Sequence, residues 1–130
     1  MKEFNRLSIL YAEDDKDARD MLSVLLGFSD IDVSFARSVK EAFQLAQNEP
    51  FDLYLLDNSF PEGNGLELCR QLREFNPQTP IIFYSGNAYE TDKQKGLAAG
   101  ANAYLVKPDS NTIAETIFRL VPQNRASIPC

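Results

Sequence analysis

Residues 51–65, FDLYLLDNSFPEGNG, constrain this chain more than any other stretch. Leu53, Tyr54, Leu55 and Leu56 form an apolar run with no polar alternation. A strand of that kind is buried on both faces, which calls for a parallel sheet covered by helices on each side. Asp57 halts the run, and Asn58, Ser59, Pro61, Gly63 and Gly65 follow as turn formers. Open α/β sheets hold their ligands beyond the carboxyl ends of their strands. Taken alone, Asp57 reads more simply as the end of a strand or the cap of the next helix. Three other strand ends change that balance.

The chain alternates two periodicities around this run. Residues 7–12 form a short apolar strand that ends in Glu13-Asp14-Asp15. Over 16–28, Ala18, Met21, Leu22, Leu25 and Phe28 recur at helical spacing and predict an inner face. Residues 31–35 alternate as an edge strand with one wet face. Ser38 and Glu41 read as a capping box, opening a helix with Val39, Ala42, Phe43 and Ala46 inside and closing at Glu49-Pro50. The strand ending at Asp57 leads to a helix over 65–75 that uses Leu68, Cys69, Leu72 and Phe75. Pro80 introduces Ile81-Ile82-Phe83-Tyr84, a fourth strand ending at Ser85-Gly86. The helix expected over 89–99 has a thin apolar face. Residues 101–106 make a fifth strand, ended by Lys107-Pro108. Asp109 or Ser110 is the expected cap of a last helix carrying Ile113, Ala114, Ile117, Phe118 and Val121 inside. Pro122 stops it. Residues 1–122 therefore form one domain, and 123–130 a tail or the start of a linker.

Five strands alternating with five helices make a doubly wound (βα)5 unit with right-handed crossovers. The usual strand order at that size is 2-1-3-4-5. Glu13 and Asp14 then end the first strand beside Asp57 on the third, with Ser85 on the fourth and Lys107 on the fifth. Neighbouring strands lie ~4.8 Å apart, so these side chains converge on one edge. Three carboxylates with no histidine anywhere in the chain make a hard, all-oxygen site suited to Mg²⁺ or Mn²⁺. They repel one another unless a cation sits among them. Lys107 has the reach to pair with a carboxylate or with an added phosphoryl oxygen, and Ser85 supplies a donor. Carboxylate nucleophile, metal and ammonium are the parts of an aspartyl-phosphate site. Ser59 and Asn87, each two residues beyond a site residue, stand at the mouth of the cleft, where they admit or orient a hydrolytic water. Lys107 must turn sharply back before Pro108, and a cis bond is the economical way to do it.

With ILYAEDD, LLDNSFPEGNGLEL, IIFYSG and GANAYLVKP in this order, the sequence resembles a response-regulator receiver domain of two-component signalling. The resemblance runs from Leu7 to about Val121. It implies the flavodoxin-like, CheY-like fold, with Asp57 as phosphoacceptor and Asp14 as a direct Mg²⁺ ligand. It further implies that Glu13 orients metal-bound water and that the Ser59 backbone carbonyl completes the metal ligands. Lys107 would contact the phosphoryl group, with Ser85 and Tyr104 as switch hydroxyl and switch aromatic. The same resemblance points to a cis Lys107-Pro108 bond. Asn102, Ala103 and Asp109 depart from the acidic pair and the phenylalanine that many DNA-binding members carry there.

The implied partners are a histidine kinase or histidine phosphotransfer protein as donor, and a downstream protein reading the surface of the fourth helix, fifth strand and fifth helix. A formal charge of −6 argues against nucleic acid or an anionic membrane. Two cysteines, one of them terminal, suggest no disulfide framework, and no apolar run is long enough to span a bilayer. A cytoplasmic protein, monomeric or weakly dimeric on phosphorylation, is expected. Two other readings share these features: a pseudo-receiver that binds partners without phosphorylation, and a phosphotransfer enzyme. Such an enzyme usually places a second acid two residues after its nucleophile, where this chain has Ser59. A flavin carrier would want hydroxyl-rich loops in place of acidic strand ends.

Overall fold

The structure, a computed structural model, describes residues 7–26, 31–108 and 112–121. Strands β1 (Leu7–Ala12), β2 (Ile31–Ala36), β3 (Leu53–Leu56), β4 (Ile81–Ser85) and β5 (Ala103–Val106) alternate with helices α1 (Lys16–Leu26), α2 (Val39–Asn48), α3 (Gly65–Phe75), α4 (Glu90–Ala98) and α5 (Ile113–Leu120). The sheet is parallel throughout, in the order β2-β1-β3-β4-β5. This is the expected (βα)5 arrangement.

The period of two along each strand divides the core into two layers. Leu10, Ala12, Tyr54, Leu56, Ile81 and Phe83 face α2 and α3, where they meet Ala42, Ala46, Leu68 and Leu72. Ile9, Tyr11, Leu53, Leu55, Ile82 and Tyr84 face the other way, against Leu22 and Leu26 of α1 and Ile113 and Ile117 of α5. Every residue of β3 and β4 is buried, whereas β5 is half-buried along its length, as an edge strand must be. Each fully buried Leu or Phe contributes about 1.5–3 kcal/mol relative to exposure, so the central strands carry most of the stabilisation.

Side-chain caps explain where α2 and α3 begin. The Ser38 side chain accepts the Glu41 N–H at 3.0 Å. The Glu41 carboxylate returns to the N–H of Arg37 at 2.7 Å, one residue before the partner a standard capping box uses. Asn64 caps α3 by accepting the Glu67 N–H at 2.8 Å.

Several expectations need correction. In α1, Leu22 is buried and Ala18 and Leu25 are half-buried as expected, whereas Met21 is 57% exposed and Leu26 is buried. The run MLSVLL is apolar on several sides, so spacing alone drew the stripe too wide at Met21. Helix α1 is described as far as Leu26, and Phe28 lies outside the described residues. Phe75 is 46% exposed and touches Phe43 edge-on instead of entering the core. Strand β5 begins at Ala103 rather than at 101, because Asn102 turns its side chain to accept the Ile81 N–H and an Arg73 N–H. Thr112 occupies the N-cap of α5 without a side-chain capping bond, while Asp109 and Ser110 lie outside the described residues. Phe118 is 38% exposed, and Thr116 takes the buried place on that face. Pro122 and the tail also lie outside the described residues.

Candidate functional site

Ala12 and Leu56 are paired in register, so Glu13 and Asp57 leave the sheet side by side. The Asp57 N–H donates to Ala12 O at 3.0 Å, and the Glu13 N–H donates to Ala36 O at 2.9 Å. Both residues are thereby held as extensions of their strands. Carboxylate oxygens of Glu13, Asp14 and Asp57 lie within 4.8 Å of one another, with Glu13 and Asp57 buried and Asp14 exposed. The sequence expectation of three converging carboxylates holds.

Lys107 closes the cluster from β5. Its backbone N–H donates to Ser85 O at 2.9 Å, and the Lys107-Pro108 bond is cis, as expected. The ammonium group donates to Glu13 Oε1 and stands 3.7 Å from Asp57 Oδ1. Glu13 is held further by the Tyr11 hydroxyl, which donates to Oε1 at 3.2 Å, and by the Asp15 N–H, which donates to Oε2 at 3.1 Å. Burial, reinforced by the adjacent Glu13 charge, pushes the Tyr11 hydroxyl pKa above the ordinary tyrosine range. Tyr11 therefore stays protonated and remains a donor to Glu13. Arg19 Nη1 reaches the Glu13 carbonyl at 2.9 Å and ties α1 to the same strand end.

This donor set fits a small hard divalent cation. All three candidate ligands are carboxylate oxygens, and Lys107 offsets only one of the three negative charges. One member, Asp14, faces solvent, which leaves an entry path.

The remaining expected residues line the same edge. Ser85 is buried at the end of β4, and its Oγ accepts the Asn87 N–H at 3.1 Å. The Tyr104 ring stacks on Phe83 with centroids 5.5 Å apart, and its hydroxyl donates to Asn87 O at 2.9 Å. One peptide segment thus links Ser85 and Tyr104. Ser59 is exposed in the loop after Asp57, where it bridges Asn64, and Asn87 is exposed after β4.

Sequence reasoning missed Tyr11, Arg19 and Asn58 as members of the constellation. Tyr11 was within reach, because it lies two residues before Glu13 on the same side of a strand. Asn58, which sends its Nδ2 to the Tyr104 hydroxyl across 46 residues of sequence, had no local signal.

Residues 9–118 match the family model described as the response regulator receiver domain. The chain belongs to this family. It is 38% identical over 104 residues to the response regulator protein PilR of Pseudomonas aeruginosa, covering 80% of this chain and 23% of that protein. Response regulator ArlR of Staphylococcus epidermidis is 37% identical over 101 residues, covering 78% of this chain and 46% of that protein. The chain thus spans less than half the length of either relative. Among solved structures, the chemotaxis response regulator CheY4 of Vibrio cholerae superposes with a TM-score of 0.82 at 29% identity, covering 89% of this chain and 99% of that one. Response regulator receivers are signalling domains of two-component systems, and the flavodoxin-like, CheY-like fold expected above is the one found. Among the described residues, no helix is long and apolar enough to cross a membrane.

Proposed function

We propose that this receiver is a phosphoacceptor switch in which Asp57 is the nucleophile. The observation that carries the reading is the meeting of Glu13, Asp14 and Asp57 with the Lys107 ammonium group at one sheet edge. A carboxylate oxygen of Asp57 attacks the phosphorus of a phosphohistidine on a partner kinase or phosphotransfer protein. The new O–P bond forms as the P–N bond breaks, and the donor imidazole departs with the electron pair. The donor must be external, since this chain contains no histidine.

Asp14, Asp57 and the Ser59 carbonyl would hold Mg²⁺ or Mn²⁺, with Glu13 placed to orient its water, and the ion would supply positive charge that screens the approaching anions. Lys107 stands 3.7 Å from Asp57 and receives a phosphoryl oxygen with little rearrangement. Ser85 then turns its hydroxyl toward the phosphoryl group, and Tyr104 follows. The surface of α4, β5 and α5 changes, and a downstream protein reads it. The chain acts catalytically only on its own phosphorylation and dephosphorylation. Its receiver extends over residues 1–122, works in the cytoplasm without contacting nucleic acid or membrane, and is monomeric or weakly dimeric when phosphorylated.

Incubation with Mg²⁺ and acetyl phosphate tests the reading. Wild-type protein gains one phosphoryl mass and Asp57→Asn gains none. Equal labelling of the two would place the nucleophile elsewhere. Ser59 and Asn87 tune the lifetime of the product, so Ser59→Met and Asn87→Glu each change the rate of phosphate release several-fold without blocking labelling. Decay matching wild type in both would remove them from that role.

A further inference from the structure

We propose that Asn58 is a positioning residue that latches Tyr104, setting how far the output surface is already switched before any phosphoryl group arrives. This inference deepens the phosphoacceptor reading above and rests on it.

Asn58 follows Asp57 directly and is only 8% exposed. Its backbone carbonyl accepts the Gly65 N–H at 2.9 Å, so the first residue of α3 fixes the point from which the side chain starts. Nδ2 then lies 3.5 Å from the Tyr104 hydroxyl oxygen. That hydroxyl has its proton committed to Asn87 O at 2.9 Å, and its oxygen is left to accept from the amide. The two contacts are complementary.

The ring itself has little room. Phe83 stacks on one face, and α4 approaches so closely that a Cβ at Gly96 would stand 2.9 Å from Tyr104 Cδ2. Tyr104 leaves this seat only by giving up both hydrogen bonds, and a buried amide beside the acceptor then loses a partner. Asn87 passes the same bias onward, because its N–H rests on Ser85 Oγ while its carbonyl holds Tyr104. Asp57, Asn58, Tyr104, Asn87 and Ser85 therefore form one connected path along the edge. At 3.5 Å the amide contact is long, so it tilts the Tyr104 equilibrium and does not lock it. Its loss is expected to shift that equilibrium about three- to tenfold, the effect of one modest hydrogen bond.

The test uses the full chain labelled with fluorotyrosine, with the Tyr104 fluorine resonance identified by its absence in Tyr104→Phe. In unphosphorylated protein, Asn58→Leu should move the Tyr104 resonance toward a second position, corresponding to that three- to tenfold shift. Tyr104→Phe should displace the Asn58 side-chain amide resonance in the reciprocal measurement. An unmoved Tyr104 resonance in folded Asn58→Leu overturns the proposal. If Asn58→Leu does not fold, an unmoved Asn58 amide in Tyr104→Phe overturns it equally. Acetyl phosphate labelling is run in parallel: failure of wild-type labelling sinks the phosphoacceptor reading, whereas the resonances report on the latch without any phosphoryl group.

Discussion

Replacing Gly65 by alanine should damage the fold through the acceptor strand itself. An ideal Cβ at this position stands 2.1 Å from the Asp57 carbonyl oxygen, 3.0 Å from Asn58 Cα and 3.0 Å from Phe83 Cε1. The first contact is with backbone at the end of a buried strand, so no flexible side chain can yield. The start of α3 must move away, straining the 2.9 Å hydrogen bond from Gly65 N–H to Asn58 O. Overpacking of this kind costs about 1–3 kcal/mol. A weakened hydrogen bond adds about 1 kcal/mol, and exchanging Gly for Ala in a helix returns at most about as much. The expected net loss is about 2 kcal/mol, which lowers Tm by roughly 8 °C for a domain of this size. Gly86→Ala is the control, because a Cβ there meets nothing within 4 Å. It should be neutral or stabilise by up to about 1 kcal/mol through the unfolded state. Urea and thermal unfolding of the two variants decide the matter. A Gly65→Ala protein as stable as wild type, or a Gly86→Ala protein equally weakened, would refute the reasoning.

Millimolar Mg²⁺ should raise Tm, by the equivalent of about 2.7 kcal/mol at a hundredfold excess over Kd, and Asp14→Asn should abolish most of the gain. Lys107→Ala should leave metal binding largely intact but slow acetyl phosphate labelling severely, and should cost about 1.5–3 kcal/mol in urea unfolding because buried Glu13 loses one charge-assisted hydrogen bond while keeping those from Tyr11 and Asp15. Burial pushes the Cys69 thiol from its ordinary 9.0 up to about 11. In a Cys130→Ser background it should resist alkylation at pH 8 until the chain unfolds. Between pH 9 and 11 the unfolded chain releases this proton while the folded one keeps it, so stability should fall with rising pH there. Fast alkylation of folded protein at pH 8 would show that Cys69 is not so enclosed.

The strand ends were legible because buried parallel strands write themselves as apolar runs halted by a polar residue. Glu13, Asp57, Ser85 and Lys107 each stand at such a halt, and the sheet order then brings them together. What escaped was whatever depends on partners distant in sequence. Arg73 reads as an ordinary basic residue in the last turn of a helix. In the fold its guanidinium donates to Gly100 O at 2.8 and 3.1 Å, to Thr79 O at 2.7 Å and to the Asn102 side chain at 2.9 Å. No spacing rule anticipates that. Met21 was placed inside α1, and Leu26 left out, for a different reason: too many apolar neighbours left the edge of the stripe undetermined, and packing in the layer of Ile9 and Tyr11 selects Leu26 beside Leu22.

The Arg73 contacts give α4 a mechanical asymmetry. Its C-terminal exit at Gly100 is bolted to α3 and to the turn before β4, whereas its N-cap, Tyr89, makes no side-chain capping bond and is 79% exposed. Within the helix only Gly96 is buried. A rod of nine residues, about 13 Å long, is therefore pivoted at the end remote from Asp57 and loose at the end beside it. A tilt of about 5° at the pivot carries the loose end through about 1 Å, by the leverage of that length alone. In the switch proposed above, that leverage would enlarge small movements of Ser85 and Tyr104 at the Tyr89 end of α4, while the Arg73 contacts hold its Gly100 end in place.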